Sequence, residues 1–173
     1  MEKAYKPEFR GDKMITISQF EDKYTQDVID IVLHFQNDGT RPIVSVDDQP
    51  DLLNIVDEYI NKGGNFWIAK NGETLIGTIG IMPYSKEIAV LKKFFVYESY
   101  QGEPNHVGKK LYDVLFSFVK EKGYKTILLD TPHNTERAHK FYKKAGFREV
   151  EEDDLPIKFS HPYKDCDFFL LEL

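Results

Sequence analysis

The chain has 173 residues, 41% of them hydrophobic, and a formal net charge of −6 at pH 7. This length suffices for one domain with its own core, and the acidic balance argues against the basic surface that nucleic-acid binding requires. No apolar stretch is long enough for a membrane span, the polar start is unlike a signal peptide, and a single cysteine, Cys166, excludes an internal disulfide framework and a cysteine-built metal site.

Ten periodic segments follow one another along the chain. In chain order, hydrophobic spacing predicts a strand at 14–20, helices at 24–36 and 52–60, strands at 65–70, 74–82 and 89–96, a helix within 100–123, a strand at 125–131, a helix at 136–146 and a strand at 167–173. Asn71-Gly72, between the second and third strands, is the strongest short-range signal for a hairpin. This order predicts an α/β fold with a mixed sheet.

The helix within 100–123 begins with an unusual charge. Residues 88–131 are predicted to form a right-handed crossover between parallel strands, with this helix in the middle. Lys109 and Lys110 lie in its first turn, where the positive end of the helix disfavours cations. An anion on the N–H groups near His106 would satisfy those donors and neutralise both lysines. The alternative is that the lysines only solvate an exposed face, and neither the P-loop nor the Rossmann glycine pattern is matched.

Two motifs in the second half of the chain point to one family. The strand LKKFFV at 91–96 leads through a loop into the helix, and the last predicted helix reads AHKFYKKAGF at 138–147. Together they resemble the GNAT superfamily of acyl-CoA-dependent N-acyltransferases, in which a [QR]-x-x-G-x-[GA] loop precedes the first helix and A-x-x-F-Y-x-x-x-G-F lies in the second. The loop from Gln101 to Gly108 is two residues longer than the family pattern, and His106 stands where glycine is usual.

The resemblance implies acetyl-CoA as co-substrate and no metal. In the family, backbone groups of the strand hold the pantetheine and thioester, and the start of the helix binds the pyrophosphate. Asn134 is a further candidate contact, with a helix cap as its alternative. The implied cofactor-binding residues are Phe94, Phe95, Val96, His106, Val107, Gly108, Lys109, Lys110 and Asn134.

Tyr142 matches the usual general acid of the family. A tyrosine hydroxyl stays protonated at pH 7 and can give its proton to a departing thiolate. Tyr142 also completes a helical stripe with Ala138 and Phe141, so simple core packing is the alternative. The general base stays open, and the acidic candidates near strand ends are Glu87, Glu98 and Asp130.

The resemblance implies a single N-acetyltransferase domain over residues 1–173. Its N-terminal strand and acceptor-side helices would occupy 14–62, its acyl-CoA-binding core 66–147 and its C-terminal strands 148–173. The acceptor would be a small-molecule or peptide amine entering near 35–52, where excess acid favours a cationic acceptor. We expect a cytoplasmic monomer or homodimer that has no nucleic-acid or membrane partner.

Two other classes of protein remain open at this point. One has the same fold and binds acyl-CoA without turnover, as a sensor or a partner module. The other is an unrelated α/β nucleotide-binding protein that uses the same helix start.

Overall fold

Seven strands and three α-helices build the protein, whose computed structural model describes residues 14–173; the polar start and the first residues of the predicted domain lie outside the described residues. The strands are β1 (Ile15–Gln19), β2 (Asn65–Asn71), β3 (Thr74–Pro83), β4 (Ile88–Val96), β5 (Thr126–Pro132), β6 (Arg148–Val150) and β7 (Cys166–Glu172). The helices are α1 (Thr25–Gln36), α2 (Val107–Lys122) and α3 (Glu136–Lys144). All six strands predicted individually are present, and β6 falls within the predicted C-terminal strands.

All seven strands form one mixed sheet in the order β1-β2-β3-β4-β5-β7-β6. Neighbouring strands are antiparallel except β4 and β5, which are parallel and joined by α2, as predicted. The predicted hairpin is also confirmed, because Asn71 pairs with Thr74 across a turn in which Gly72 has a φ of 62°. Glycine adopts such a positive φ without the steric cost that a side chain adds.

The prediction of an α-helix at 52–60 is wrong. A 3₁₀ turn at Pro50–Leu53 is followed by a π-helical turn at Val56–Ile60. Asn54 separates them because its backbone, at φ −141° and ψ 49°, leaves the helical region. The apolar spacing had a real cause, since Leu52 and Tyr59 are fully buried. The spacing of apolar residues thus predicted which side chains are buried, but it did not predict the backbone hydrogen-bond pattern.

The helices bury one apolar face each against the sheet. On α2 the fully buried residues Val107, Leu111, Leu115 and Val119 repeat at helical spacing. A smaller cluster around Val90, Leu128 and Phe168 packs with Phe159 from the segment that precedes β7. Within the described chain, no helix has the length and apolar character needed to cross a membrane.

Candidate active site

The two parallel strands, β4 and β5, stay together only at their beginnings. Residues 88–90 of β4 pair with residues 126–128 of β5. Each strand then continues, to Val96 and to Pro132, with no further pairing between them in the described part of the chain. Because a parallel ladder would use backbone groups of both strands, the diverging edges leave such groups available to a ligand. The opening lies at the carboxyl ends of the strands, where α/β sheets commonly bind ligands.

A β-bulge in β4 accompanies this divergence. The register with β3 shifts between Thr78 and Gly80, so that two residues of β4, Lys93 and Phe94, lie opposite a single residue of β3. Lys93 has a φ of 55°, which is uncommon for a residue other than glycine. The Thr78 hydroxyl donates a 2.7 Å hydrogen bond to the Lys93 carbonyl and so holds the bulge. A bulge bends its strand, which fits the departure of β4 from β5.

A cavity of about 900 Å³ occupies the opening. This volume is in the range of small-molecule sites. Phe94, Phe95 and Val96, the predicted thioester-holding residues, all line it. The Phe95 ring stacks on Phe35 at 5.5 Å, and the Phe94 ring meets Phe141 edge-on at 5.3 Å. The aromatic side chains therefore form the apolar walls, while the backbone of β4 remains at the open edge.

The start of α2 faces this cavity with N–H donors that the helix itself does not use. His106, the N-cap residue, has a left-handed φ of 48° and makes no capping hydrogen bond with its side chain. The first hydrogen bond inside the helix runs from the Lys110 N–H to the His106 carbonyl, at 3.0 Å. The three preceding N–H groups, of Val107, Gly108 and Lys109, therefore have no partner within the helix. Donors of this kind suit an anionic group.

The predicted phosphate-binding residues do not all face the cavity. His106, Gly108 and Lys109 line it, while the Val107 side chain is buried in the core. Lys110 is exposed and lies outside the residues that line the cavity. The Lys109 ammonium pairs with an Asp113 carboxylate at 2.7 Å, which offsets part of its charge. The structure thus separates two lysines that the sequence treats alike.

Tyr142 of α3 lies on the cavity wall. Its side chain is buried and packs against the rings of Phe147 and Phe169, with centroid distances of 5.7 and 5.8 Å. Burial raises the pKa of the Tyr142 hydroxyl well above its ordinary value, and the charges of Asp130 and Tyr112 raise it further. The hydroxyl is therefore protonated at neutral pH, as a proton donor must be. Packing and proton donation are compatible at this position.

The loop after α1 closes the other side of the cavity. Arg41 donates hydrogen bonds to the Asn134 amide oxygen at 2.9 Å and to the Phe35 carbonyl at 2.9 Å, and it pairs with Asp38 at 3.3 Å. The Asn134 amide also donates to the Thr40 hydroxyl at 3.1 Å. The amide of Asn134, the last predicted cofactor contact, therefore ties this loop to the β5–α3 loop. The adjacent Thr135, and not Asn134, is the N-cap of α3.

One comparison identifies the family of the chain. The family model described as the acetyltransferase (GNAT) family matches residues 29–147. The chain belongs to this family. The match includes α1 from residue 29 onwards, the β4–β5 opening, α2 and α3, so it covers nearly every element that lines the cavity. The predicted α/β fold of the GNAT type is thereby confirmed.

Relatives and solved structures agree with the GNAT assignment. A mouse protein named probable N-acetyltransferase family 8 member 5 is 29% identical over 103 residues, which cover 58% of this chain and 45% of that protein. The chain thus spans about half the length of the curated relatives it matches. An acetyltransferase structure from Streptococcus agalactiae has a TM-score of 0.87 at 30% identity, covering 92% of this chain and 98% of that one. A GNAT structure from Staphylococcus aureus has a TM-score of 0.85 at 34% identity, covering 92% and 99%.

The structure of this GNAT chain adds two cavity residues that the motifs did not indicate. Arg137 lies against the loop, since a Cβ added at Gly102 would stand 3.0 Å from its guanidinium. The Tyr112 hydroxyl is buried without a hydrogen-bond partner in the described chain, and burial, with a smaller effect of Asp113, raises its pKa to about 12. No spacing rule could have found either residue, because both meet the cavity through the packing of α2 and α3.

The three acidic candidates for a base occupy different places in this GNAT fold. Glu87 pairs with Lys125 at 3.2 Å and does not line the cavity. Glu98 lines it and contacts His34 at 2.9 Å. Asp130 also lines it, and burial raises the pKa of its carboxyl. The sequence did not indicate Lys93, whose buried side chain reaches the same cavity.

The acidic side chains near 35–52, which were expected to favour a cationic acceptor, mostly bind other residues of the protein. Asp38 lines the cavity but pairs with Arg41. Asp48 accepts hydrogen bonds from the backbone and hydroxyl of Ser45, and Asp51 accepts one from the Tyr59 hydroxyl. The cavity wall carries cationic side chains, among them Arg41, Lys92 and Lys93, as well as acidic ones such as Asp38.

One group of side chains in the described residues has the atom types of a metal site. Asp130, His161 and Cys166 place ligand atoms within 4.8 Å of one another. The imidazole Nδ1 of His161, however, contacts the Tyr163 carbonyl, which accounts for it as a hydrogen-bond donor. Burial, followed by the charge of Asp130, raises the pKa of the Cys166 thiol to about 12, so it is protonated at neutral pH. His161 and Cys166 are thus both engaged in hydrogen bonds with the Tyr163 carbonyl.

Proposed function

We propose that this chain is an N-acetyltransferase that moves the acetyl group of acetyl-CoA to a primary amine by direct attack in a ternary complex. The observation that carries the proposal is the opening between β4 and β5, which the start of α2 and Tyr142 both face. Membership of the GNAT family supports it. So does a GNAT acetyltransferase from Elizabethkingia anophelis, of the same fold at 20% identity and a TM-score of 0.60, whose crystal structure has acetyl-CoA bound.

The residues of the opening fit a bound coenzyme. The unpaired edge of β4 offers backbone groups for the pantetheine amides, and the free N–H groups at the start of α2 suit a pyrophosphate. When bound, acetyl-CoA supplies the activated acyl group. The residues proposed to bind it are Phe94, Phe95, Val96, His106, Val107, Gly108, Lys109, Lys110 and Asn134. We assign Asn134 the position at the mouth, where its amide joins the two loops.

Tyr142 is the proposed general acid, which gives its proton to the departing thiolate. Its place on the cavity wall and the raised pKa of its hydroxyl support this role. The protein's other contribution is to hold the amine and the acyl carbon in attack geometry, which the enclosed cavity can do. No step in this scheme requires a metal.

The proposed acceptor is a small-molecule or peptide amine that enters beside α1 and the loop after it. Phe35 and Tyr163 provide apolar surface on this side of the cavity, and Arg41 stacks on the Tyr163 ring at 4.9 Å. We further propose one functional domain over residues 1–173, divided as 14–62, 66–147 and 148–173. A cytoplasmic monomer or homodimer without nucleic-acid or membrane partners completes the proposal.

A thiol-release assay with acetyl-CoA across alkylamines, polyamines, amino acids and peptides tests this function. The expected result is free thiol and acetylated amine in equal amounts, with the product identified by mass. A stable acetyl-CoA complex that releases no thiol over the whole panel would favour binding without turnover. Equal affinity for coenzyme A and a plain nucleotide would favour an unrelated nucleotide-binding protein.

A further inference from the structure

Lys93 is a buried lysine on the wall of the proposed active site. Its side chain is 8% exposed, and it lines the same cavity as Tyr142. The bulge in β4 fixes its backbone, with a φ of 55° and the hydrogen bond from Thr78. It directly precedes Phe94, the first of the residues proposed to hold the thioester. The bulge therefore introduces a lysine beside the place where the reaction would occur.

The Lys93 amine is held from the acceptor side of the cavity. Its Nζ donates to the side-chain carbonyl of Gln49, which exchanges hydrogen bonds of 2.8 and 2.5 Å with the amide of Gln36. The nearest carboxylate, of Asp51, lies 3.9 Å from the Nζ and is hydrogen-bonded by the Tyr59 hydroxyl at 2.6 Å. A neutral amide is thus the close partner, and the carboxylate lies beyond hydrogen-bond distance.

These surroundings favour the neutral amine more than water does. Burial lowers the pKa of Lys93 from 10.5 to about 8. The carboxylates of Asp51 and Asp130 oppose this shift, and the neighbouring Lys92 adds to it. A substantial share of Lys93 is therefore neutral at slightly alkaline pH, whereas an exposed lysine would be almost fully charged. Buried lysines with such a lowered pKa can act as general bases.

Resting on the proposed function, we propose that Lys93 is the general base that takes the proton from the acceptor ammonium. The neutral Lys93 amine accepts a proton from R–NH₃⁺, which gives R–NH₂ and the Lys93 ammonium. The R–NH₂ nitrogen bonds to the acyl carbon as the carbon–sulfur bond breaks. The departing sulfur takes the Tyr142 proton, and the proton lost by the new amide nitrogen restores Tyr142. Lys93 then returns its proton to solvent, so the products are the acetylated amine, the thiol and one proton.

The acidic side chains of the cavity are less suitably placed for this step. Glu98 contacts His34 at 2.9 Å. Asp130 raises the pKa of Tyr142, which places its charge near the proposed acid. Lys93, by contrast, donates a hydrogen bond to Gln49, which is bonded to Gln36, and both glutamines belong to the acceptor-side segments. The proposed acid thus comes from α3, and the proposed base comes from β4, beside the acceptor-side segments.

Two amines of similar shape test the proposal with acetyl-CoA. Benzylamine is an ammonium at neutral pH and needs a base, whereas aniline is already neutral and does not. Lys93→Met should lower kcat/KM for benzylamine by ~10²–10⁴-fold, the usual worth of a positioned base, and change it little for aniline. Lys93→Arg, which cannot be deprotonated, should show the same loss. Acetyl-CoA affinity should persist in both variants, and Lys125→Met, an exposed lysine off the cavity, is the matched control.

The outcomes separate the base assignment from the proposed function. Equal losses for the two amines would overturn the base assignment, as would rescue of benzylamine turnover by Lys93→Arg. A wild-type protein that acetylates aniline and not benzylamine would overturn it as well. If wild type acetylates benzylamine alone, the acidic limb of its kcat/KM profile should move in Lys93→Met to the pKa of the amine itself, and an unchanged profile would contradict the proposal. A wild-type protein that releases no thiol with any amine would overturn the proposed function, and this inference with it.

Discussion

Tyr142 has a ring that packs and a hydroxyl that can donate a proton. Tyr142→Phe keeps the contacts with Phe147 and Phe169 and removes the hydroxyl. We expect kcat to fall by ~10²–10⁴-fold because a positioned acid is lost, while the melting temperature and acetyl-CoA affinity stay near wild type. Steady-state kinetics, thermal melts and titration measure the three quantities. Tyr124→Phe, in the core and off the cavity, is the control; full activity of Tyr142→Phe would leave Tyr142 as a core residue.

Lys93 should make stability depend on pH in a direction opposite to that of a paired lysine. Its pKa is about 8 in the folded protein, against an ordinary value of 10.5. Between these values the unfolded chain binds more protons, so the free energy of unfolding rises with pH. The shift corresponds to about 3 kcal/mol at most. Below pH 8 the folded protein bears the full cost of the buried charge.

The comparison with Lys93→Met isolates this effect. The advantage of Lys93→Met over wild type in free energy of unfolding should be largest at pH 7 and shrink steadily towards pH 10. Urea denaturation of both proteins across this range measures it. Lost contacts with Gln49 add an offset that does not vary with pH. A difference between the two proteins that stays constant from pH 7 to pH 10 would show that Lys93 does not titrate there.

The sequence indicated a role for Tyr142 but not for Lys93. Tyr142 could be assigned from a motif because its neighbours in the motif are also its neighbours on one helix. Lys93 could not, because its environment depends on a bulge and on Gln36, Gln49 and Asp51, which are distant in sequence. In a strand of alternating pattern, a lysine is expected at the surface.

At the scale of elements, the start of α2 carries the clearest test of coenzyme binding. Lys109 lines the cavity and Lys110 does not, although both lie in the first turn. Lys109→Glu should therefore weaken acetyl-CoA binding more than Lys110→Glu, with the gap widest at low salt, where charges are least screened. Calorimetric titration at two ionic strengths measures both affinities. If both variants bind acetyl-CoA as tightly as wild type, the pyrophosphate does not bind at the start of α2.

The β4 bulge depends on a single buried hydroxyl. Thr78→Val keeps the shape of the side chain and removes the hydrogen bond to the Lys93 carbonyl. Because Thr78 is fully buried, the carbonyl loses its partner in a dry environment, at a cost of about 1–3 kcal/mol. Urea denaturation should show this loss, and Thr74→Val, at the start of the same strand, should cost less. If Thr78→Val unfolds like wild type, the hydroxyl does not hold the bulge.

Element order was predictable and element type was not always so. Six of the strands and the three α-helices follow from periodicity and turn residues, because each buries one face of a regular repeat, whereas the short β6 does not. Pro50–Leu53 and Val56–Ile60 have the same apolar spacing but irregular hydrogen bonding, which side-chain periodicity does not report. The bulge and the parting of β4 from β5 are likewise properties of pairing between strands.

At the scale of the whole molecule, the proposed active site depends on where the sheet fails to pair. β5 continues its antiparallel pairing with β7 as far as Pro132, so only the edge of β5 that faces β4 loses its pairing. β4 bends at its bulge while it stays paired to β3. The sheet is therefore continuous on both sides of an opening that can admit a chain-like ligand. Family resemblance implied a site here, and the geometry supplies its physical basis.

The most direct test of this account is a crystal structure of the chain with acetyl-CoA. The account predicts that the thioester lies between β4 and β5 along residues 94–96, with its sulfur close to the Tyr142 hydroxyl. It also predicts the pyrophosphate on the N–H groups at the start of α2. Acetyl-CoA bound elsewhere on the protein, or a pyrophosphate away from α2 with the opening filled by side chains, would contradict the account.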